Sequence, residues 1–155
     1  MTKALTNNGY IQVGANNYTL AADDTISAGS LVNSGTIQLY GSSSFTAKLA
    51  VASAATQSGT LDIDSGGAVD VTNATGVFTQ AAGTTAVYGA LSAPTVDVTG
   101  GTLDGTGTVT GVVSNSGGDV VGGTLNYNSP GVLSVVGAYQ SSGTGTLIDI
   151  VSGTG

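Results

Sequence analysis

The chain has 155 residues, 26 of them Gly, and a formal net charge of −7 with only two cations, Lys3 and Lys48. Glycine averages roughly 7% of a globular chain, so this excess predicts many turns and disfavours helix. Two separated lysines cannot neutralise a phosphate backbone or an anionic bilayer, which excludes nucleic acid and charged membrane surfaces as partners.

The chain is apolar enough to form a packed core. Hydrophobic residues make up 40% of it, which is unlike a flexible Gly/Ser linker. No run approaches the roughly 18 apolar residues of a membrane span, so no membrane insertion is expected. The first residues lack the apolar segment of a signal peptide. Two origins stay open: a fragment of a larger exported protein, or a product that folds inside the producing cell.

One phrase recurs along the chain, and each copy predicts a short strand. The clear copies are LTNNGYIQV from Leu5, LVNSGTIQL from Leu31 and ATQSGTLDI from Ala55, and looser copies begin at Phe78, Val98, Val113 and Tyr139. Each copy contains a marker glycine, and these lie about 22 residues apart on average, a spacing typical of solenoid repeats. The marker glycines are Gly9, Gly35, Gly59, Gly83, Gly101, Gly117 and Gly143.

Apolar and polar residues alternate within each copy, as Ile37 and Leu39 flank Gln38. Successive side chains of a strand point to opposite faces, so one face of each strand is predicted to be apolar. Stacked copies predict an inward column of Ile11, Ile37, Leu61 and Leu103 and an outward column of Gln12, Gln38, Asp62 and Asp104. Further strands are predicted at Ala68–Thr72, Thr95–Thr99 and Val132–Val136, with a turn over Asn128–Gly131.

Repetition of one phrase favours like residues stacked on like residues, and therefore a parallel β-helix rather than an antiparallel sandwich. The prediction is a single all-β solenoid domain over residues 1–155, with six to seven turns and with marker Asn and Gly at the corners. The last strand, Thr146–Val151, is apolar and would leave an aggregation-prone edge if bare. We therefore expect a protein partner there, either neighbouring turns of a larger assembly or a homo-oligomer.

Two segments of the last third resemble the passenger domains of bacterial autotransporters and filamentous haemagglutinin-like adhesins. They are GGTLDGTGTVTGVVSNSGG (Gly100–Gly118) and NSPGVLSVVGAYQSSGTGTLIDI (Asn128–Ile150). Members of this family form right-handed parallel β-helices that space or present adhesive loops. The resemblance implies a non-catalytic, adhesive or structural role, extracellular on a bacterial cell surface. Similar repeats occur in phage fibres and capsid decoration proteins, so a virion structural protein is the alternative.

The residues available for chemistry are few. Without His, Cys or Arg, the chain lacks the commonest general base, the thiolate nucleophile and the bidentate oxyanion clamp, so we predict no enzyme, no catalytic residue and no cofactor. The one candidate metal site, for Ca²⁺, is the carboxylate set Asp62, Asp64 and Asp70. Position 73, where a calcium loop would place a Glu, is Asn73, and outward solvated Asp is the alternative interpretation.

Two further patterns concern surfaces. Thr106, Thr108 and Thr110 alternate like the threonine ranks of ice-binding solenoids, but on one turn only. Exposed tyrosines could stack on sugars, which makes a host-surface glycan a candidate partner, although most should pack at corners. The tyrosines are Tyr10, Tyr18, Tyr40, Tyr88, Tyr127 and Tyr139.

Overall fold

The structure is a computed structural model that describes residues 3–16, 20–124 and 129–149. Within these ranges it is all-β, with no helix. The strands are β1 (Leu5–Asn7), β2 (Tyr10–Gly14), β3 (Asp24–Ala28), β4 (Leu31–Asn33), β5 (Thr36–Tyr40), β6 (Ala47–Val51), β7 (Ala54–Gln57), β8 (Thr60–Ile63), β9 (Gly67–Val71), β10 (Val77–Gln80), β11 (Thr84–Val87), β12 (Ala90–Val98), β13 (Thr102–Gly105), β14 (Thr108–Asn115), β15 (Asp119–Thr124), β16 (Ser129–Pro130), β17 (Ser134–Val136), β18 (Tyr139–Ser141) and β19 (Thr146–Asp149).

The strands stack in parallel as a β-solenoid of about six turns, which confirms the predicted fold class. Each turn contributes one strand to each of three faces. The first face contains β1, β4, β7, β10, the second halves of β12 and β14, and β18. The second face contains β2, β5, β8, β11, β13, β15 and β19. The third face contains β3, β6, β9, the first halves of β12 and β14, and β17.

The predicted inward column is confirmed. Ile11 pairs with Ile37, Ile37 with Leu61, and the column continues through Thr85 to Leu103. Ile37, Leu61 and Leu103 are fully buried, and Ile11, at the end of the stack, packs against the same core. The core is narrow because each turn contributes only short stretches of alternating side chains, mostly Val, Leu, Ile and Ala. Burial of these apolar groups is the main favourable term for folding.

The marker glycines lie where the chain turns from the first face to the second. At Gly59, a Cβ atom would lie 2.1 Å from the carbonyl oxygen of Gly35 in the preceding turn, and at Gly83 it would lie 1.9 Å from that of Gly59. Only glycine allows this approach of backbone to backbone. Two predicted markers were wrong by one or two positions: Gly118 precedes β15 and Gly145 precedes β19, in place of Gly117 and Gly143.

Buried amide side chains accompany these glycines, at the end of the first-face strands. The Asn7 Nδ2 donates to Asn33 Oδ1 at 2.7 Å, and the Asn33 Nδ2 donates to Gln57 Oε1 at 2.7 Å. The amide also donates across the corner to the backbone carbonyl that begins the second face, as from Asn33 to Thr60 and from Asn115 to Thr146. We call the set Asn7, Asn33, Gln57, Gln80 and Asn115 the amide ladder; Val98 interrupts it.

The turns differ in length, although the marker glycines lie about 22 residues apart on average. The first takes 26 residues from Asn7 to Asn33, whereas the step from Thr84 to Thr102 takes 18. The additional residues of the longer turns form loops at the corners, so the strands of adjacent turns stay in register. Ser129 and Pro130, predicted within a turn, instead form β16 antiparallel to β15. Asn128, the start of that predicted turn, lies outside the described residues.

Candidate functional site

The outer surface of the second face carries a cluster of polar and aromatic side chains. Strands β2, β5 and β8 place it on three successive turns, because side chains at alternate positions point outward. We call it the Tyr–Gln–Asp patch; its members are Tyr10, Gln12, Gln38, Tyr40, Asp62 and Asp64. Gln12, Gln38 and Asp62 occupy the predicted polar column in register.

Tyr10 is exposed, with 60% of its surface accessible. Its hydroxyl lies 2.7 Å from Gln12 Oε1 and 2.6 Å from Gln38 Oε1. Both glutamines use their NH₂ groups elsewhere, Gln12 on the Gly14 carbonyl and Gln38 on Asp62, so the single hydroxyl hydrogen lies between two acceptor oxygens. The tyrosine ring is therefore held in place by polar contacts at its tip while the ring itself stays accessible to solvent.

Carboxylates form the opposite end of the patch. Burial and the adjacent carboxylate of Asp64 raise the pKa of Asp62 above its ordinary value, and a hydrogen bond from Gln38 partly opposes this. The Oδ1 atom of Asp62 is buried and has no hydrogen-bond partner. Burial and the charge of Asp62 likewise raise the pKa of Tyr40, which keeps this hydroxyl protonated. The patch thus offers several hydrogen-bond acceptors and no cation.

The candidate calcium set is not assembled in the structure. Asp62 and Asp64 lie on the second face, but Asp70 lies on β9 of the third face. There Asp70 forms an ion pair with Lys48, Nζ to Oδ2 2.8 Å. No group of three or more potential metal ligands occurs within the described part of the chain. Asp70 lies on the strand that follows β8, as predicted, but the corner between the two strands places it on a different face from Asp62 and Asp64.

Asp104, predicted to point outward, is buried with 2% of its surface accessible. Its register with the polar column is as predicted, through Ala86. The pairing of β13 with β15 shifts register between Asp104 and Gly105, and such a bulge re-aims neighbouring side chains. In addition, Gly131, just after β16, packs against the Thr106 side chain at this end of the second face.

A rank of threonines also runs along the outside of the second face, and the sequence analysis missed it. Thr36, Thr60, Thr84 and Thr102 stack in register on successive turns. The sequence indicates this rank by the threonine that directly follows the marker glycine in each of these copies. The alternating threonines that begin at Thr106 do not form a rank, because threonine is absent from the same positions of the adjacent turns. On the third face Thr108 pairs with Ala90 and Ser134, and Thr110 pairs with Ser92 and Val136.

Of the remaining tyrosines, Tyr139 packs partly buried against the core, and its hydroxyl lies 3.4 Å from the Asn115 amide. Tyr88 follows β11 on the second face and is partly buried. These positions agree with the expectation that tyrosines pack at corners and neighbouring turns. Tyr18 and Tyr127 lie outside the described residues. Tyr10 therefore offers the most accessible of the described tyrosine rings.

The last turn leaves an apolar opening into the core. This cavity of about 470 Å³ lies among Val120, Leu133, Val135, Tyr139 and Leu147. Leu147 continues the inward column, yet 62% of its surface is accessible because no described strand stacks beyond β19. An accessible leucine at a core position marks an unsatisfied packing surface.

The three faces, the in-register columns and the amide ladder define this chain as a β-solenoid repeat protein. No protein-family model, no curated protein and no solved structure matches it. Over the described residues, no helix has the length and apolar character needed to cross a membrane.

Proposed function

We propose that this chain is a structural, non-catalytic β-solenoid displayed on a bacterial cell surface, with a role like that of an autotransporter passenger. The continuous core supports the structural part of the proposal, because buried columns and backbone ladders run through every turn of the described stack. A stack of this kind carries groups outward on its extended faces. The resemblance of Gly100–Gly118 and Asn128–Ile150 supports surface display.

The open last turn supports a role in a longer assembly. Strands β17, β18 and β19 each pair on one side with the preceding turn, and in the described structure no further turn stacks on them. Unpaired strand edges are templates for adding strands. We propose that the first turn of a second copy stacks on this edge, so that copies associate end to end.

The two ends of the solenoid match in the length of their turns and in the columns of apolar side chains that they present. The first turn, from Asn7 to Asn33, takes 26 residues, and the last step on the first face, from Val113 to Tyr139, also takes 26. Both ends present apolar side chains in the same inward columns: Ile11 at one end of the second face and Leu147 at the other. On the third face, Ile26 and Val135 stand in equivalent positions at the two ends.

Sedimentation velocity at micromolar concentration tests this association. We expect reversible growth of end-to-end species, and we expect Leu147→Lys to abolish it because a lysine would place a charge in the contact. Val32→Lys is the matched control, since Val32 is also exposed but lies on a side face. A stable monomer for the wild-type chain, or equal association by all three proteins, would contradict the proposal.

Display on a cell is tested by the genes around this one. A signal peptide and a translocating barrel encoded with the repeats would support the adhesin-like role. A neighbourhood of virion genes would replace it with the alternative, a phage fibre or capsid decoration protein. The end-to-end contact applies to either setting, because it depends on the solenoid edges alone.

A further inference from the structure

The Tyr–Gln–Asp patch is not explained by the packing of the solenoid. Large apolar side chains that are exposed among the described residues include Leu147, Val132 and Val136, near the open end. Tyr10 lies at the other end of the stack, on the outer surface of β2, and is 60% exposed. Folding gains little from a ring in that position, since most of its apolar surface remains in water.

Hydrogen bonds fix the polar groups beside the ring. Gln38 links the two ends of the patch, because it contacts the Tyr10 hydroxyl and also donates to Asp62. The Oδ1 atom of Asp62 is buried, so a ligand on the surface would meet the other carboxylate oxygen. Asp64 accepts a hydrogen bond from the backbone of Ser65 at 2.7 Å. The exposed ring therefore lies beside the amides of Gln12 and Gln38, and the carboxylates of Asp62 and Asp64 lie two strands away at the other end of the patch.

We propose that the Tyr–Gln–Asp patch binds a neutral glycan, with a sugar ring stacked on Tyr10 and its hydroxyls bonded to Gln12, Gln38 and Asp62. An aromatic ring offers an apolar face to the C–H groups of a sugar. Amide and carboxylate groups supply the donors and acceptors that hydroxyl groups need. The proposal rests on the proposed surface display, because an outer surface is where such a glycan would be met.

Charge determines the class of glycan. Within the described structure the patch contains two carboxylates and no Lys, and Lys48 lies on the third face, paired with Asp70. Sialylated, uronic or sulfated sugars would be repelled by Asp62 and Asp64, whereas a neutral sugar donates hydroxyl hydrogens to them. The patch is a shallow surface, so a single site should bind weakly, and end-to-end association would add affinity by presenting several patches together.

Chemical-shift titration of the isotope-labelled chain tests the proposal, with lactose, cellotetraose and mannotriose as neutral probes. Sialyllactose is the matched acidic probe for lactose. We expect at least one neutral probe to shift the backbone signals of Tyr10, Gln38 and Asp62. We expect sialyllactose to bind more weakly than lactose if lactose is the probe that binds.

Variants locate the contact. We expect Tyr10→Ala to weaken binding by about tenfold or more, equivalent to about 1.4 kcal/mol, and Tyr10→Phe to weaken it less because the ring is kept. Gln38→Ala should weaken binding, whereas its control Gln140→Ala, an exposed glutamine of the first face, should not. The same spectra show whether each variant is folded.

Three results would overturn the proposal: no shift with any neutral probe, unchanged affinity of Tyr10→Ala, or equal binding of sialyllactose and lactose. Failure here is distinguishable from failure of the assembly role. Leu147→Lys should remain able to bind the neutral probe as a monomer. Conversely, wild-type chains that associate end to end but bind no neutral sugar would refute only the glycan site.

Discussion

Asp62 shows how a single residue can have a predicted position and an unexpected environment. Alternation with Leu61 and Ile63 correctly placed its side chain outside the core. The sequence did not show that neighbouring turns would bury part of the carboxyl or that Gln38 would donate to it. Those neighbours lie in a different turn of the solenoid, and stacking brings them together.

The raised pKa of Asp62 leads to a prediction about pH. Protons bind this carboxyl more tightly in the folded state than in the unfolded chain, so its contribution to the free energy of unfolding falls as pH rises from the ordinary value through the raised one. We expect Asp62→Asn to raise the Tm at about pH 7, and to change it much less at about pH 3, where both states are protonated. Thermal unfolding followed by circular dichroism at both pH values measures this.

Removal of any negative charge from a chain with net charge −7 also reduces self-repulsion and favours the folded state. Asp97→Asn, on the first face, is the control for that general effect. Equal gains in Tm for the two variants would attribute the result to net charge and contradict the local cause.

At the scale of elements, the amide ladder reinforces the strand register that the buried hydrophobic columns already favour. A strand slipped by one residue reverses the direction of every side chain. Asn7 and Asn33 each bond to the same position of the next turn and to the start of the next face, as Asn33 does with Gln57 and Thr60. Slippage would leave these amides buried and unsatisfied, so the ladder selects one register.

We expect Asn33→Ala to lower the free energy of unfolding by about 2–5 kcal/mol, since two ladder partners, the Asn7 amide and the Gln57 oxygen, would lose a buried hydrogen bond. Urea denaturation measures the change. Ser58→Ala, at an exposed position after β7, should alter stability by no more than about 0.5 kcal/mol. Similar losses for the two variants would show that the ladder adds no net stability.

For the whole molecule, the important property is that each turn contacts its neighbours along one axis. Contacts run from turn to adjacent turn, so damage should spread over a limited number of turns rather than the entire domain. The two ends also differ from the middle: the terminal turns stack on one side only, which should make them the first to open.

We expect Ile37→Asp to unfold the first three turns and to leave the turns from β13 onward protected. A lone buried carboxylate costs several kcal/mol, and Ile37 is 1% exposed in the second turn. Hydrogen exchange with mass spectrometry resolves the affected segments. Val32→Asp, on the neighbouring strand but 48% exposed, should retain protection throughout. Uniform loss of protection in Ile37→Asp would show a single cooperative unit instead.

The sequence by itself determined the all-β class, the repeated turn and the inward column from Ile11 to Leu103. These follow from local rules: alternation sets the face of each residue, and glycine marks the positions where backbones approach closely. Only the tertiary structure decided that Asp70 lies on a different face from Asp62, that Asp104 is buried and that the Tyr10 hydroxyl contacts Gln38. The position of Asp70 depends on where a corner bends, and loops of unequal length have no periodicity from which their paths can be predicted. The burial of Asp104 accompanies a register shift, and the contact of Tyr10 with Gln38 depends on how far a side chain reaches between stacked strands.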